Sequence, residues 1–118
     1  MPQRKEAGEL MNGLEAKNRQ LTMKNDELYE LHEKHAEAER DYNIRYAQEL
    51  TKLRASGEPI TLAKELAKGD KHIAELFFKM RIAEGVYYAC REKIKDLRSS
   101  IDSYRSLLSY LKSEMERS

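Results

Sequence analysis

An apolar 3-4 repeat runs unbroken from Leu62 to Met115, and it confines this stretch to a long helix that has to meet another helix. One row is Leu66, Ile73, Met80, Tyr87, Ile94, Ile101, Leu108 and Met115; the other is Leu62, Gly69, Leu76, Ala83, Cys90, Leu97, Tyr104 and Leu111. Steps that alternate four and three return a side chain every 3.5 residues, which keeps one narrow seam apolar and turns it towards a partner. No proline interrupts the stretch. At 1.5 Å per residue it runs on the order of 80 Å, too long for the core helix of a small globule.

The rest of the composition fits such a chain. Charged residues make up 36% of 118, tryptophan is absent, and there are five glycines and two prolines. With a mean hydropathy of -0.85, this is the make-up of long helices with one apolar stripe and a wide solvated face, and no sheet is expected. The net charge is +1 with both signs interleaved, so the basic stripe or tail of a typical nucleic-acid binder is missing. The most basic stretch is Arg91, Lys93, Lys95 and Arg98, diluted by Glu92 and Asp96. The N-terminal Met-Pro-Gln-Arg-Lys-Glu leads into no apolar segment, and no window reaches the length of a membrane span. A single cysteine, Cys90, excludes an intramolecular disulfide. The expectation is a cytoplasmic protein with no membrane partner.

Strong punctuation occurs once, at Ser56-Gly57-Glu58-Pro59. Gly57 can take the left-handed conformation that ends a helix, Pro59 cannot continue one, and Thr61 stands where an N-cap is wanted. The chain therefore divides into a flexible N-terminus over 1–9, a first long helix over 10–55, a turn over 56–61 and a second long helix over 62–117. Lys68-Gly69-Asp70 has the form of a helix stop and a new N-cap, but the heptad keeps its phase through it. A kink or brief interruption at 69–70 is the most that is expected. So short a turn folds the arms back as an antiparallel coiled-coil hairpin, an all-α fold. The small seam residues Gly69, Ala83 and Cys90 leave room for rings from the other arm, with Tyr42 and Tyr46 as candidates.

Two helices cannot cover everything apolar in this chain. Phe77, Phe78, Val86, Tyr88 and Leu107 lie off the seam, which predicts self-association, most simply a homodimer with a four-helix arrangement. In the first arm Met11, Leu14, Asn18, Leu21, Asn25 and Leu28 resemble a leucine zipper, with leucine at one seam position and asparagine at the other. Buried asparagine pairs favour a parallel, in-register dimer, so residues 10–28 are expected to pair with a second chain. The alternative leaves Asn18 and Asn25 at the solvent edge of the hairpin. Beyond Leu28 the stripe shifts to Leu31, His35, Ala38 and Tyr42, then Tyr46, Leu50 and Leu53, which are expected to pair with the chain's own second arm.

Chemistry is hard to find. His32 and His35 are three apart, where a zinc-protease helix needs four, and no glutamate stands three before a histidine as a di-iron bundle requires. Cys90 sits on the seam, where a buried thiol acts as a small apolar filler. No glycine-rich phosphate loop is present. No catalytic residue, metal site or cofactor is therefore expected. The outward rings Phe77, Phe78, Tyr88 and Tyr110 are either packing for a second helix pair or a partner surface.

Glu39-Arg40-Asp41-Tyr42, Ala47, Leu50, Leu53-Arg54, Gly57, Pro59, Thr61-Leu62, Ala67-Lys68-Gly69-Asp70, Ala83, Tyr87 and the run Ile101 to Leu108 carry a resemblance. Over Glu39 to Lys112 the chain resembles small helical proteins of phages and prophages of Gram-positive bacteria. Such proteins look to be encoded among recombination and early-replication functions, which implies an accessory role and supplies no catalytic residues. Residues 1 to 30 lie outside the resemblance. The leading expectation is a non-enzymatic interaction or scaffold protein that self-associates and holds an unidentified phage or host protein in the bacterial cytoplasm. The alternatives are a nucleic-acid-binding accessory using Arg91, Lys93, Lys95 and Arg98, and an inhibitor of a host enzyme or defence complex.

Overall fold

Strong helix formers build a structure that is helical over its described part except at residues 56–59 and Asp70. A computed structural model describes residues 2–117, with side chains from Arg4 onward. It holds α1 (Pro2–Ala55), α2 (Ile60–Gly69) and α3 (Lys71–Arg117), two long helices and one short, with no strand among the described residues.

Helix α1 begins at Pro2, not near residue 10, so the segment expected to be a flexible N-terminus is helical apart from Met1, which lies outside the described residues. Proline suits the first helical position, where its missing N–H has no partner to lose, and Ala7 and Leu10 are already half-buried. The far end closes as a Schellman motif. The Glu58 N–H donates to the Leu53 carbonyl at 3.1 Å and the Gly57 N–H to the Arg54 carbonyl at 3.0 Å. Gly57 has φ +95°, a conformation that strains any residue bearing a Cβ. Arg54 Nη1 adds a hydrogen bond to the Glu58 carbonyl at 2.9 Å.

Helix α2 opens at Ile60, two residues earlier than a cap at Thr61 would start it. Pro59, with ψ 146°, is the capping position, and its carbonyl accepts the Ala63 N–H at 2.8 Å. Thr61 therefore lies inside the first turn. The helix stops at Gly69, because Asp70 is extended (φ -63°, ψ 131°). Asp70 Oδ1 then accepts the Ile73 N–H at 3.0 Å and its carbonyl accepts the Ala74 N–H at 2.8 Å, the arrangement of an N-cap for α3.

This break changes the phase of the repeat. The buried residues of α2 are Ala63 and Ala67, while Leu62 and Leu66, placed on the seam by the heptad, are 47% and 46% exposed. One extended residue rotates α2 against the register of α3, so the heptad cannot run through 69–70. Asp70→Ala is expected to cost about 1 kcal/mol, with Asp70→Asn nearly neutral, as for other N-caps. Urea unfolding of the two variants checks this.

The chain forms two compact units, residues 29–88 and residues up to 28 with those from 89. In the first, α1 and α3 run antiparallel, as the pairs His32 with Tyr87, His35 with Glu84 and Tyr42 with Phe77 show. Its buried residues are Ala63, Ala67 and Ile73. In the second, the pairs Gly13 with Tyr104 and Lys24 with Cys90 again run antiparallel, around buried Cys90, Ile94, Leu97 and Ile101. Residues 10–28 thus pack on α3 of their own chain, where the zipper reading pairs them with a second one. Leu14, Leu21, Asn25 and Leu28 are half-buried there, and Met11 and Asn18 are exposed.

Candidate interaction surface

From Ile73 onward the seam residues of α3 turn inward within their units. Ile73, Cys90, Ile94, Leu97 and Ile101 are buried; Leu76, Met80, Ala83, Tyr87, Tyr104, Leu108 and Leu111 are half-buried. In the unit of residues 29–88 the facing side chains of α1 are aromatic or imidazole. The His32 and His35 rings lie 5.3 and 6.1 Å from the Tyr87 ring, and His35 Nε2 stands 3.9 Å from the Glu84 carboxylate. Arg81 reaches the same carboxylate at 3.4 Å. Tyr42 packs between Tyr46 and Phe77, at 5.8 and 5.4 Å. An open hollow of about 370 Å³ lies between Tyr42, Lys68, Ile73, Ala74 and Phe77, beside the break at Asp70.

Three of the four outward rings named from sequence, Phe77, Phe78 and Tyr88, fall in this unit. Tyr110 falls in the other, beside Leu107 and Leu111. All four are exposed. Ile82 was not named from sequence, and it stands between two residues that were: Phe78, Ile82 and Val86, spaced by four, are 58%, 54% and 46% exposed. The spacing itself was the available signal, in a second phase beneath the dominant repeat.

The basic residues do not gather into one stripe. At 100° per residue Arg91, Lys95 and Arg98 share one flank of α3 and Lys93 lies on the other, and Lys95 Nζ is held by Glu92 at 3.2 Å. Among the described residues no group of three or more histidine, cysteine or acidic side chains is placed to hold a metal. No described helix is long and apolar enough to cross a membrane.

Cys90 is buried, and its Sγ–H donates to the Lys24 carbonyl at 3.5 Å. Burial pushes the thiol pKa above its ordinary value and the nearby Glu27 carboxylate adds to this, while the Lys24 ammonium works against both. Lys24 is itself held protonated by Glu27, at 2.9 Å. Because the folded thiol ionises later than the unfolded one, its contribution to stability is intact below the ordinary thiol range, about pH 8.5, and is lost as pH rises through the raised value. The native protein is expected to react with a maleimide at neutral pH far more slowly than the urea-unfolded chain. Equal rates would contradict the burial.

Set beside protein-family models, curated proteins and solved structures, the chain matches none.

Proposed function

We propose that this chain is a non-enzymatic, self-associating interaction protein whose helices present an apolar surface to partner chains. One observation carries the reading: large apolar side chains stay exposed around a thin buried core. Among the described residues the buried core is Ala63, Ala67, Ile73, Cys90, Ile94, Leu97 and Ile101, three of them small. Large apolar residues are left outside, among them Ile44, Leu62, Leu66, Phe78, Ile82 and Val86. So thin a core offsets little of the entropy lost on ordering the chain, and covering the outer residues supplies the remainder.

A dimer with a four-helix arrangement over part of its length answers this most simply. The resemblance over residues 39–112 supports a setting in the cytoplasm of a phage-infected or lysogenic bacterium, with an accessory role in recombination or early replication. Light-scattering mass on gel filtration is the test. Twice the chain mass of 13.8 kDa is expected. A monomer throughout the micromolar range contradicts the reading.

A further inference from the structure

We propose that the basic row Arg91, Arg98, Arg105 and Lys112 on α3 receives the acidic stripe Glu30, Glu33, Glu37 and Asp41 on α1 of a second copy of this chain. This rests on the self-association reading and goes further, since it names the two surfaces that meet and the charges that match them.

The row is written into the heptad. The four basic residues of 91–98 divide between two flanks of α3, but one flank continues: Arg91, Arg98, Arg105 and Lys112 follow one another at seven-residue steps. Each stands directly after a seam residue, Cys90, Leu97, Tyr104 and Leu111. Seven residues at 100° return to within about 20° of the starting direction, so the four cations line one side of the helix about 10.5 Å apart. All four are exposed. From this position a helix in a coiled coil meets the charges of its neighbour. Within the unit, α1 brings no carboxylate to it. Glu6 and Glu9 lie on the other side of the seam, where they line a hollow with Leu107 and Tyr110. Asp102 stands between Arg98 and Arg105 without pairing to either, and among the described residues no carboxylate comes within ion-pair distance of Arg98, Arg105 or Lys112. Elsewhere on α3, by contrast, Lys95 and Arg117 are held by Glu92 and Glu114 at 3.2 and 3.6 Å.

The complementary charge is carried by the other unit. Residues 30–41 hold five acidic and two basic side chains. His35 turns to α3, with Nε2 3.9 Å from the Glu84 carboxylate. At 100° per residue Glu30, Glu33 and Glu37 point about 140–160° away from it. They and Asp41 are exposed. Arg40 pairs with Asp41 at 3.1 Å, while no described cation comes within ion-pair distance of Glu30, Glu33 or Glu37. Glu30 and Glu37 repeat at the same seven-residue step as the cations, so two such rows stay in step along helices laid side by side.

Charge complementarity chooses the occupant. A net charge of +1 gives the chain little long-range attraction for a nucleic acid, and the acidic stripe repels one. A second copy brings to each row the opposite sign at the matching period. Exposed ion pairs contribute at most about 1 kcal/mol each, so they select the surface and the register, and apolar neighbours supply the remaining affinity. Ile44, one seven-residue step beyond Glu37, is such a neighbour and is 51% exposed.

The test is charge reversal and mixing on the full chain, read by sedimentation equilibrium at low salt. One variant carries Glu30→Lys, Glu33→Lys and Glu37→Lys; the other carries Arg98→Glu, Arg105→Glu and Lys112→Glu. All six residues are exposed, so helicity by circular dichroism is expected to match the parent. Alone, each variant is expected to raise the dimer dissociation constant at least tenfold, because like charges then meet. Mixed in equal amounts, the two are expected to associate within threefold of the parent, and raised salt is expected to weaken parent and mixture alike. If a triple reversal lowers helicity, the single variants Glu37→Lys and Arg105→Glu, mixed in the same way, are expected to show the same pattern with smaller shifts. A parent chain that is monomeric overturns the self-association reading and this inference with it. A parent dimer that survives both reversals, or reversed chains whose mixture stays monomeric, overturns this inference alone. A reversed row that leaves the dimer intact but abolishes binding of a labelled DNA duplex assigns the row to nucleic acid and overturns it as well.

Discussion

Leu97→Ala is expected to destabilise the protein by about 3 kcal/mol, the middle of the range for a leucine truncated in a packed core. Leu97 is 1% exposed and, with Ile73, is one of the two largest side chains that the structure buries fully. Its neighbours along α3, Cys90, Ile94 and Ile101, are buried in the same unit, and replacing it with alanine leaves a cavity in their midst. Against a typical net stability of about 5–15 kcal/mol the loss is large, and a core this small has little with which to absorb it. Leu107→Ala is the control. Leu107 lies on the same helix but is half exposed, so its truncation is expected to cost under about 0.5 kcal/mol. Urea unfolding followed by helicity measures both, at one protein concentration because association couples to stability. Equal effects at 97 and 107 would contradict the placement of the core.

The second large effect is expected at Gly13. A Cβ built there lies 2.6 Å from Tyr104 Cε1 and 2.7 Å from both Cζ and Oη, so the tyrosine ring occupies the space where a side chain would stand. Gly13→Val is expected to cost about 2 kcal/mol through overpacking, even though valine is a better helix former than glycine. Tyr104→Ala vacates the space. In that background Gly13→Val is expected to become neutral or stabilising, a coupling that a double-mutant cycle measures directly. Gly8 offers the contrast on the same helix, since a Cβ there meets nothing within 4 Å. Gly8→Ala is expected to gain roughly 0.5–1 kcal/mol from helix propensity alone. If Gly13→Val is tolerated as well as Gly8→Ala, the contact between α1 and Tyr104 is wrong.

Much of this architecture was legible in the residues, and the failures have identifiable causes. From Ile73 to Ile101 the heptad marks the inward face of α3, because a continuous helix packed on a continuous helix keeps a 3.5-residue period. It misplaces Leu62 and Leu66 because periodicity carries no information about a break. Asp70 leaves the helix and caps the next one, and that local chemistry overrides a phase that three residues of α2, Leu62, Leu66 and Gly69, had fitted by coincidence. The segment over 10–28 shows another limit of the pattern. Leucines and asparagines at seam spacing state that a helix is wanted, not whose helix, and α3 of the same chain meets the need. Gly13 went unremarked because a lone helical glycine is unremarkable until Tyr104 stands against it. The outer face of α3 was seen only in part: Phe77, Phe78, Val86 and Tyr88 were named, while Ile82, which stands between Phe78 and Val86, lies outside the dominant repeat.

The proposal that the exposed apolar residues are covered by further copies of the chain is tested most directly by sedimentation equilibrium of the unmodified protein across the micromolar range. The account predicts a mass that rises with concentration towards twice 13.8 kDa. A mass that stays at 13.8 kDa at every concentration contradicts it.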